Sequence, residues 1–380
     1  MKDYFPARLA TGNRFCNRVR EQALLKHNIE LGRHMVLVSP RRYGKSSLVH
    51  KVVGDLKMPA AYIDFFMAHD DKAVTSRILQ GVGTVLSQII PVTHKTLQTL
   101  EKTFSRLKLS ITVHGVEFSA AYGQKEFDAV AEIHDALKGL AAIAAKAEKR
   151  AVIFMDEFQD IINAEHSQEI QGALRSIAQA HDSIVFVFSG SSRHLLLDIF
   201  DDRKKPFYML CDKLELERMT SEHYFSYVQK AAKEKWGKPI HDITYAEFIR
   251  LTELHPFYVN LLGNQLCRSE KFPNAAAVLQ AWQECLEMER RRLVAEVEHL
   301  ALNQQKVMKF LAQHPVTEAM SQAVLGQISL SSASMKQCLT ALLQRDLIYQ
   351  VAFEDPLLPL VKKGQYRVLD PLLAFSLNQY

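Results

Sequence analysis

A short segment near the amino terminus has the residue types that bind a polyphosphate. Residues 39–46, SPRRYGKS, match G-x-x-x-x-G-K-[ST] at every defined position except the first, where Ser39 replaces glycine. In this pattern backbone N–H groups turn inward around the phosphates, which requires Gly44 where a side chain would collide. Lys45 is expected to reach the β and γ phosphates, and the Ser46 hydroxyl to ligate Mg²⁺. The predicted nucleotide-binding residues of this segment are Ser39, Pro40, Arg41, Arg42, Tyr43, Gly44, Lys45, Ser46 and Ser47.

Two acids follow a second apolar run. Residues 151–157 read AVIFMDE, and a buried strand that ends in two carboxylates is costly unless they have a task. Asp156 is predicted to hold Mg²⁺ through water, and Glu157 to polarise the attacking water as a general base. About a hundred residues after a phosphate loop, the pair predicts ATP hydrolysis. The next polar residues, Gln159 and Asp160, are interpreted either as the cap of the following helix or as groups that support the acids.

A third apolar run, 184–188, ends in polar residues. In P-loop ATPases with an additional strand, a polar residue at this point contacts the γ-phosphate or the attacking water, so Ser189 and Ser191 are candidates. Arg193 and Arg203 are candidate cations for the charge that develops during hydrolysis. For either arginine the alternative is a structural role, such as an ion pair at a helix end.

The elements that must position these residues alternate along the first half of the chain. Continuous apolar runs, typical of strands buried on both faces, are separated by helical segments. The strands are predicted at 35–38, 60–63, 152–155 and 184–188, and the helices at 45–56, 72–90, 127–148 and 166–180. This order predicts an α/β fold with a parallel sheet of the P-loop NTPase type.

Three further segments interrupt or follow this order. Residues 107–123 alternate around His114-Gly115 and predict an antiparallel hairpin, either a decoration of the sheet or a partner-contact arm. From about 213 to 312 the pattern is helical. Three helical segments (303–313, 317–327 and 332–345) and two strands then follow, the order of a winged helix-turn-helix. The predicted domains are an ATPase core at 1–211, an all-α lid at 212–300 and a winged helix at 301–380.

Composition and charge exclude some classes of protein. The sum of 47 Lys and Arg and 42 Asp and Glu gives +5, which excludes a strongly basic nucleic-acid coat. Residues 1–50 hold ten basic and three acidic residues, around the phosphate loop, whereas residues 301–380 hold seven and five. Five scattered cysteines, no apolar leader and no long apolar run predict a cytoplasmic protein without disulfides or a membrane span.

These motifs resemble those of the prokaryotic family often called archaeal-type ATPases, in the STAND-like branch of the AAA+ superfamily. The likeness covers SPRRYGKSSL, VIFMDEFQDI, VFVFSGSSRHLLLDIF with PFY at 206–208, and the ending YRVLDP. The resemblance implies that Arg18, in a segment like the family's F-x-x-R stretch, lies near the nucleotide base. It also implies that Pro256, in LHPFY, contacts the adenine, although the glycine of the family's G-x-P pattern is absent.

The resemblance implies a Mg²⁺-dependent ATPase that acts as a nucleotide-driven conformational switch. Such a switch regulates a partner protein or self-associates, and a defence or stress system is one setting. Two alternatives stay open: a DNA-associated ATPase that uses its winged helix on nucleic acid, and a nucleotide-binding scaffold with negligible turnover. Candidate DNA contacts of the carboxyl-terminal segment are Lys336, Gln337, Gln344, Arg345, Lys362 and Lys363.

Overall fold

The computed structural model of the protein describes residues 4–6, 8–105, 107–118 and 127–379. Within these residues the chain forms two compact units. One unit is built from Val19–Arg41 and Leu48–Leu216, and the other from Met1–Arg18, Arg42–Ser47 and Glu217–Tyr380. The predicted phosphate-loop segment is therefore divided between the two units, and the three-domain boundaries stay a prediction.

A five-stranded parallel sheet forms the centre of the first unit, in the order β2-β5-β6-β1-β7. This confirms the predicted α/β class. In chain order the strands are β1 Met35–Val38, β2 Ala60–Asp64, β3 Ile111–Val113, β4 Val116–Phe118, β5 Ala151–Asp156, β6 Ile184–Gly190, β7 Asp212–Glu215, β8 Ile348–Gln350 and β9 Tyr366–Val368. Strands β1 and β6 are buried along their whole length, as continuous apolar runs predict.

Helices account for most of the remaining described chain. They are α1 Val19–Glu30, α2 Lys45–Leu56, α3 Asp71–Ile89, α4 His94–Phe104, α5 Ala129–Lys146, α6 Ser167–Ala180, α7 Arg193–Asp201, α8 Ser221–Trp236, α9 Asp242–Thr252, α10 Pro256–Leu266, α11 Ala275–Glu298, α12 Leu302–Gln313, α13 Gln322–Ile328, α14 Ser332–Gln344 and α15 Pro371–Leu377. Short 3₁₀ helices span Gly12–Arg14 and Phe158–Asn163. Among the described helices, none has the length and apolar character needed to cross a membrane.

Phenylalanine side chains fix the end of the sheet that carries the acids. Phe158, which directly follows Glu157, lies 4.6 Å from Phe188 of β6 and 5.5 Å from Phe207, measured between ring centroids. All three rings are fully buried. Because edge-to-face and tilted aromatic pairs add to the free energy of simple burial, this cluster anchors the chain immediately beyond the acid pair.

The predicted hairpin is present in the described residues, as the antiparallel pair β3–β4. Its turn residues His114 and Gly115 have φ values of 52° and 81°, the left-handed pair that a two-residue hairpin turn needs. The carboxylate of Glu132 accepts N–H bonds from Lys108 and Leu109 at 2.7 and 3.0 Å and so ties the hairpin to α5. Residues 119–123 of the prediction lie outside the described residues.

Residues 301–380 follow the predicted order of three helices (α12 to α14) and two paired strands (β8 and β9). Two details differ from the prediction. Residues 212–215 form a strand rather than the start of a helical stretch. Helix α13 begins at Gln322 rather than 317, because Val316 pairs with Tyr366 as an isolated β-bridge.

Candidate phosphate loop and acid pair

The phosphate-loop segment follows β1 and leads into α2. Arg42 and Gly44 both have left-handed backbones, with φ values of 67° and 91°. Left-handed residues in a tight turn direct successive N–H groups into a concave surface, the type of backbone arrangement that binds anions. Lys45 begins α2 and is only 6% exposed, while Ser39 is buried and donates its hydroxyl to the Pro40 carbonyl at 3.1 Å.

Contacts within the second unit hold the middle of the loop. The Tyr43 carbonyl accepts a bond from the Arg18 guanidinium at 3.0 Å, and the Tyr43 hydroxyl accepts one from Arg218 at 3.2 Å. The Arg42 guanidinium lies over the Phe257 ring, 4.2 Å from its centroid. The loop is therefore supported by side chains that lie nearly two hundred residues further along the sequence, as well as by Arg18.

The acid pair lies at the carboxyl end of β5, in the first unit. The Asp156 carboxylate accepts a short bond from the Ser189 hydroxyl and a 3.0 Å bond from the Glu157 N–H. Glu157 itself has a left-handed backbone, with φ of 49° and ψ of 40°. Its carboxylate oxygen Oε2 accepts bonds from the Ser191 N–H at 3.0 Å, the Ser191 hydroxyl at 2.7 Å and the Gln159 amide at 2.8 Å.

The end of β6 thus supports both acids with residues two positions apart. Because β5 and β6 pair in parallel register, with Met155 opposite Phe188, their carboxyl ends meet at one edge of the sheet. Ser189 contacts Asp156 and Ser191 contacts Glu157. The two serines predicted to face the phosphate or the attacking water therefore bind the acids in this structure, and their predicted role towards nucleotide stays a prediction.

The interpretation of Gln159 as a helix cap is wrong, and the alternative interpretation fits. Gln159 and Asp160 lie in the short 3₁₀ helix, and the cap position of α6 is His166. Gln159 is 4% exposed and donates to both Glu157 and Asp160. The sequence signal for this contact is a polar residue two positions after the second acid. The contact itself depends on the left-handed backbone at Glu157, which the sequence does not predict.

The other predicted site residues lie in several places. Arg18 is buried and bonds the carbonyls of Tyr43 and Glu217, and Pro256 is the first residue of α10. Arg193 is the first residue of α7, while Arg203 is exposed in the turn after that helix. Neither the nucleotide-base role of Arg18 and Pro256 nor the charge-stabilising role of the two later arginines is tested by these positions.

His50 is a neighbour of the acid pair that the sequence interpretation missed. It lies on α2 and stacks on the Tyr62 ring with centroids 3.7 Å apart and planes 5° apart. Burial lowers the pKa of His50, and the nearby charge of Asp156 opposes that effect. The imidazole beside Asp156 is consequently kept neutral at neutral pH, and it adds no positive charge next to the predicted metal ligand.

The residue types are suited to magnesium and a polyphosphate. Carboxylate and hydroxyl oxygens, as offered by Asp156 and Ser46, are the ligands that Mg²⁺ prefers. The left-handed turn at Arg42 and Gly44, followed by the amino terminus of α2, offers N–H groups and a positive helix end to anionic oxygens. The chain thus contains both kinds of group that a Mg²⁺–nucleotide complex needs.

The fold is shared with solved ATPase structures. The Walker-type ATPase of Pyrococcus abyssi superposes with a TM-score of 0.71 at 13% sequence identity, with 99% of each chain covered. The ORC2 protein of Aeropyrum pernix, described in ADPNP and ADP complexes, gives a TM-score of 0.55 at 14% identity, with 96% of this chain and 93% of that chain covered. The chain therefore shares the α/β fold of these two proteins. No family model matches it, and no curated protein sequence matches it.

Proposed function

We propose that this protein binds and hydrolyses ATP with Mg²⁺ and that it is a STAND-like member of the AAA+ class. The observation that carries the proposal is the pair Asp156–Glu157 at the carboxyl edge of the parallel sheet, where Asp156 accepts from Ser189 at the end of β6 and Glu157 accepts from Ser191 just after it. In open parallel sheets, ligands bind outside the carboxyl ends of the strands. In the sequence, the segment with left-handed backbones at Arg42 and Gly44 follows β1.

Each residue has one proposed role in the reaction. The loop N–H groups and Lys45 bind the phosphates, and Ser46 and Asp156 hold the metal. Magnesium, when bound, neutralises the charge that develops on the phosphate oxygens. Glu157 takes a proton from the attacking water, and Arg193 or Arg203 stabilises the transition-state charge. Ser189, which bonds Asp156, would turn its hydroxyl to the phosphate or to the water when nucleotide is bound.

We further propose that nucleotide state acts as a switch for a protein partner or for self-association. Supporting this, Arg218 bonds the Tyr43 hydroxyl in the phosphate loop and also the Leu369 carbonyl beyond β9, at 3.2 and 2.7 Å. A change in the position of Tyr43 is therefore transmitted to the carboxyl-terminal segment through these two hydrogen bonds of Arg218. We interpret that segment as a winged helix. A defence or stress role and a cytoplasmic location remain predictions from the sequence.

Two substitutions test the enzymatic proposal. Lys45→Ala should abolish ATP binding, because the phosphate charge loses its ammonium partner. Glu157→Gln should retain ATP binding and lose about a hundredfold or more in turnover, because the amide cannot accept the proton. ATP binding is measured by calorimetry and turnover by phosphate release with Mg²⁺.

Two control variants test whether the loss of a charge elsewhere in the chain is enough to change ATP binding or turnover. Lys51→Ala removes a lysine that lies on α2, as Lys45 does, and that pairs with Asp55. Glu165→Gln removes an exposed acid eight residues after Glu157. Both should behave as the parent protein. Equal background turnover in the parent and in both active-site variants contradicts the enzyme proposal and favours a nucleotide-binding scaffold.

A DNA-associated ATPase is the second candidate. Its supporting observation is that Lys336, Gln337 and Arg345 on and after α14 are exposed, as are Lys362 and Lys363 in the β8–β9 loop. Duplex binding that falls steeply between about 50 and 200 mM salt, and that is lost in the Lys336→Ala/Arg345→Ala variant, would support it. Absence of binding at about 50 mM salt contradicts it.

A further inference from the structure

Gln159 places a buried amide between two carboxylates. Its nitrogen Nε2 donates to Glu157 Oε2 at 2.8 Å and to Asp160 Oδ1 at 3.0 Å. Carboxylates can only accept, so these two neighbours fix which end of the amide is the NH₂ group. The side chain is 4% exposed, and water therefore cannot easily replace either bond.

The rest of the amide fits against the backbone of β6. A Cβ atom added at Gly190 would lie 2.0 Å from Gln159 Oε1, far inside contact distance, and the next nearest atoms would be 3.2 Å or more away. Among the described residues, Oε1 has no hydrogen-bond partner. The unpartnered oxygen costs free energy, and it is tolerated because it lets the NH₂ group reach both acids. Gly190 is therefore required by the position of this one side chain.

Asp160 extends the contact to a neighbouring loop. Its second oxygen, Oδ2, accepts the Met67 N–H at 3.1 Å, in the segment that follows β2. The segment is itself tied to β5, because the Phe65 N–H donates to the Asp156 carbonyl at 2.9 Å. The amide of Gln159 is thus held by a carboxylate whose own position is fixed from the other side.

We propose that Gln159 is the positioning residue for Glu157 and that Gly190 is present to admit it. The inference rests on the proposed function, in which Glu157 is the general base. The Gln159 amide and Ser191 both donate to Oε2 and so restrict the rotation of the Glu157 carboxylate.

The experiment compares three variants that change this contact in different ways. Gln159→Met keeps the length and volume of the side chain but has no N–H donor, and Gly190→Ala pushes the amide away without changing any polar group. Both should lower kcat about tenfold and leave the Kd for ATP unchanged, because the carboxylate keeps its charge and loses one donor that orients it. Asp160→Asn should lower kcat less, because the asparagine oxygen can still accept from the Gln159 amide.

A second readout does not depend on turnover. The side-chain NH₂ signals of Gln159 are followed by NMR in ¹⁵N-glutamine-labelled protein, with the signals assigned from their absence in Gln159→Met. Gly190→Ala should move these signals and speed their hydrogen exchange, because the added methyl group displaces the amide from both carboxylates. Gly172→Ala, a helical glycine with open space around it, controls for the added methyl group.

The two proposals fail in different ways. If the parent protein shows no turnover while the Gln159 signals still move in Gly190→Ala, the proposed function is wrong and the contact of Gln159 with Glu157 stands. If folded Gln159→Met keeps the kcat of the parent, the positioning role is wrong. The same conclusion follows if Gly190→Ala behaves as Gly172→Ala does.

Discussion

Three histidines are held in the neutral form by burial, and their contacts show how. The His34 ring accepts the Phe186 N–H at Nδ1 and lies 3.1 Å from the Ala178 carbonyl at Nε2, which fixes one neutral tautomer. Burial lowers the pKa of His34. Burial also lowers the pKa of His255 well below its ordinary value, and the charges of Arg218 and Arg42 add to the effect. His50, beside the acid pair, is the third.

These histidines predict a loss of stability in mild acid. Below a pH of about 6.5 the unfolded chain binds a proton at each histidine, while the folded chain does not until a lower pH is reached. The free energy of unfolding therefore falls as the pH drops, by up to about 1.4 kcal/mol per pH unit for each of the buried His34 and His255 and by less for the partly exposed His50. Urea unfolding at pH 7.5, 6.5 and 5.5 measures this slope.

His255→Asn tests the largest contribution. Asparagine is a good residue for the cap position that His255 occupies at α10, and it cannot be protonated. We expect the variant to lose less stability than the parent between pH 6.5 and 5.5. His223→Asn changes an exposed ring and should keep the parent slope. A parent-like slope in His255→Asn contradicts the assignment.

The sequence predicts which residues belong to the motifs, but it does not predict the contacts that their side chains make. Gly44 and Lys45 are recognisable from spacing alone, and both have the expected surroundings of a left-handed turn and a helix start. The contacts of Glu157 with Gln159 and Ser191 are not predictable in this way. They depend on the left-handed backbone at Glu157, which non-glycine residues seldom adopt and which local propensity does not favour.

The sequence predicts the strands of the sheet that consist mainly of apolar residues. Strands β1, β5 and β6 are buried along all or nearly all of their length, β2 is buried at three of its five residues, and apolar content identifies all four. Strand β7 was missed because its residues, DKLE, include a single apolar side chain, and it pairs with a neighbour on one side only. Tertiary pairing rather than propensity makes it a strand.

The close packing of α3 against the hairpin predicts that a glycine of this helix cannot be replaced without a loss of stability. A Cβ atom added at Gly83 of α3 would lie 2.2 Å from the backbone oxygen of Thr112 in β3, which is not a flexible side chain and cannot easily move. Gly83→Ala should therefore destabilise the protein by about 1–3 kcal/mol in spite of the better helix propensity of alanine. Thermal unfolding followed by circular dichroism measures the change.

The control for this substitution lies in another helix of the same unit. Gly172 of α6 has open space where its Cβ would be, so Gly172→Ala should stabilise the protein by about 0.5–1 kcal/mol. A similar gain for Gly83→Ala would contradict the close approach of α3 to β3.

Across the second unit, Arg218 connects parts of the chain that are far apart in sequence. Its buried guanidinium bonds the Tyr43 hydroxyl, the Glu253 carbonyl and the Leu369 carbonyl, and lies 4.4 Å from the centroid of the Tyr349 ring. Glu253 in turn accepts a 2.6 Å bond from Arg367. Residues 42–47, the end of α9 and the segment after β9 are thus joined through one planar cation, whose fork geometry lysine cannot reproduce.

Removing this cation should destabilise the whole unit. Arg218→Met leaves buried carbonyls and a carboxylate with fewer donors, and we expect a loss of about 3 kcal/mol or more. Arg250→Met breaks an exposed pair with Glu247 and should cost less than about 1 kcal/mol. Trp236 and Trp282, the two tryptophans of the chain, both lie in this unit, so their fluorescence during urea unfolding reports it directly. Equal losses for the two variants would contradict the role given to Arg218.

The division of the phosphate loop also has a consequence for how the protein is made. Tyr43 and Arg218 are separated by 175 positions, so a ribosome adding about 5–20 residues per second needs about 10–35 seconds to synthesise the second after the first. During that interval the rest of the first unit is synthesised, while residues 42–47 have the support of Arg18 but lack that of Arg218 and Phe257. In a nascent chain Tyr43 therefore gains its contact with Arg218 only after every strand of the sheet, including β7, has been synthesised.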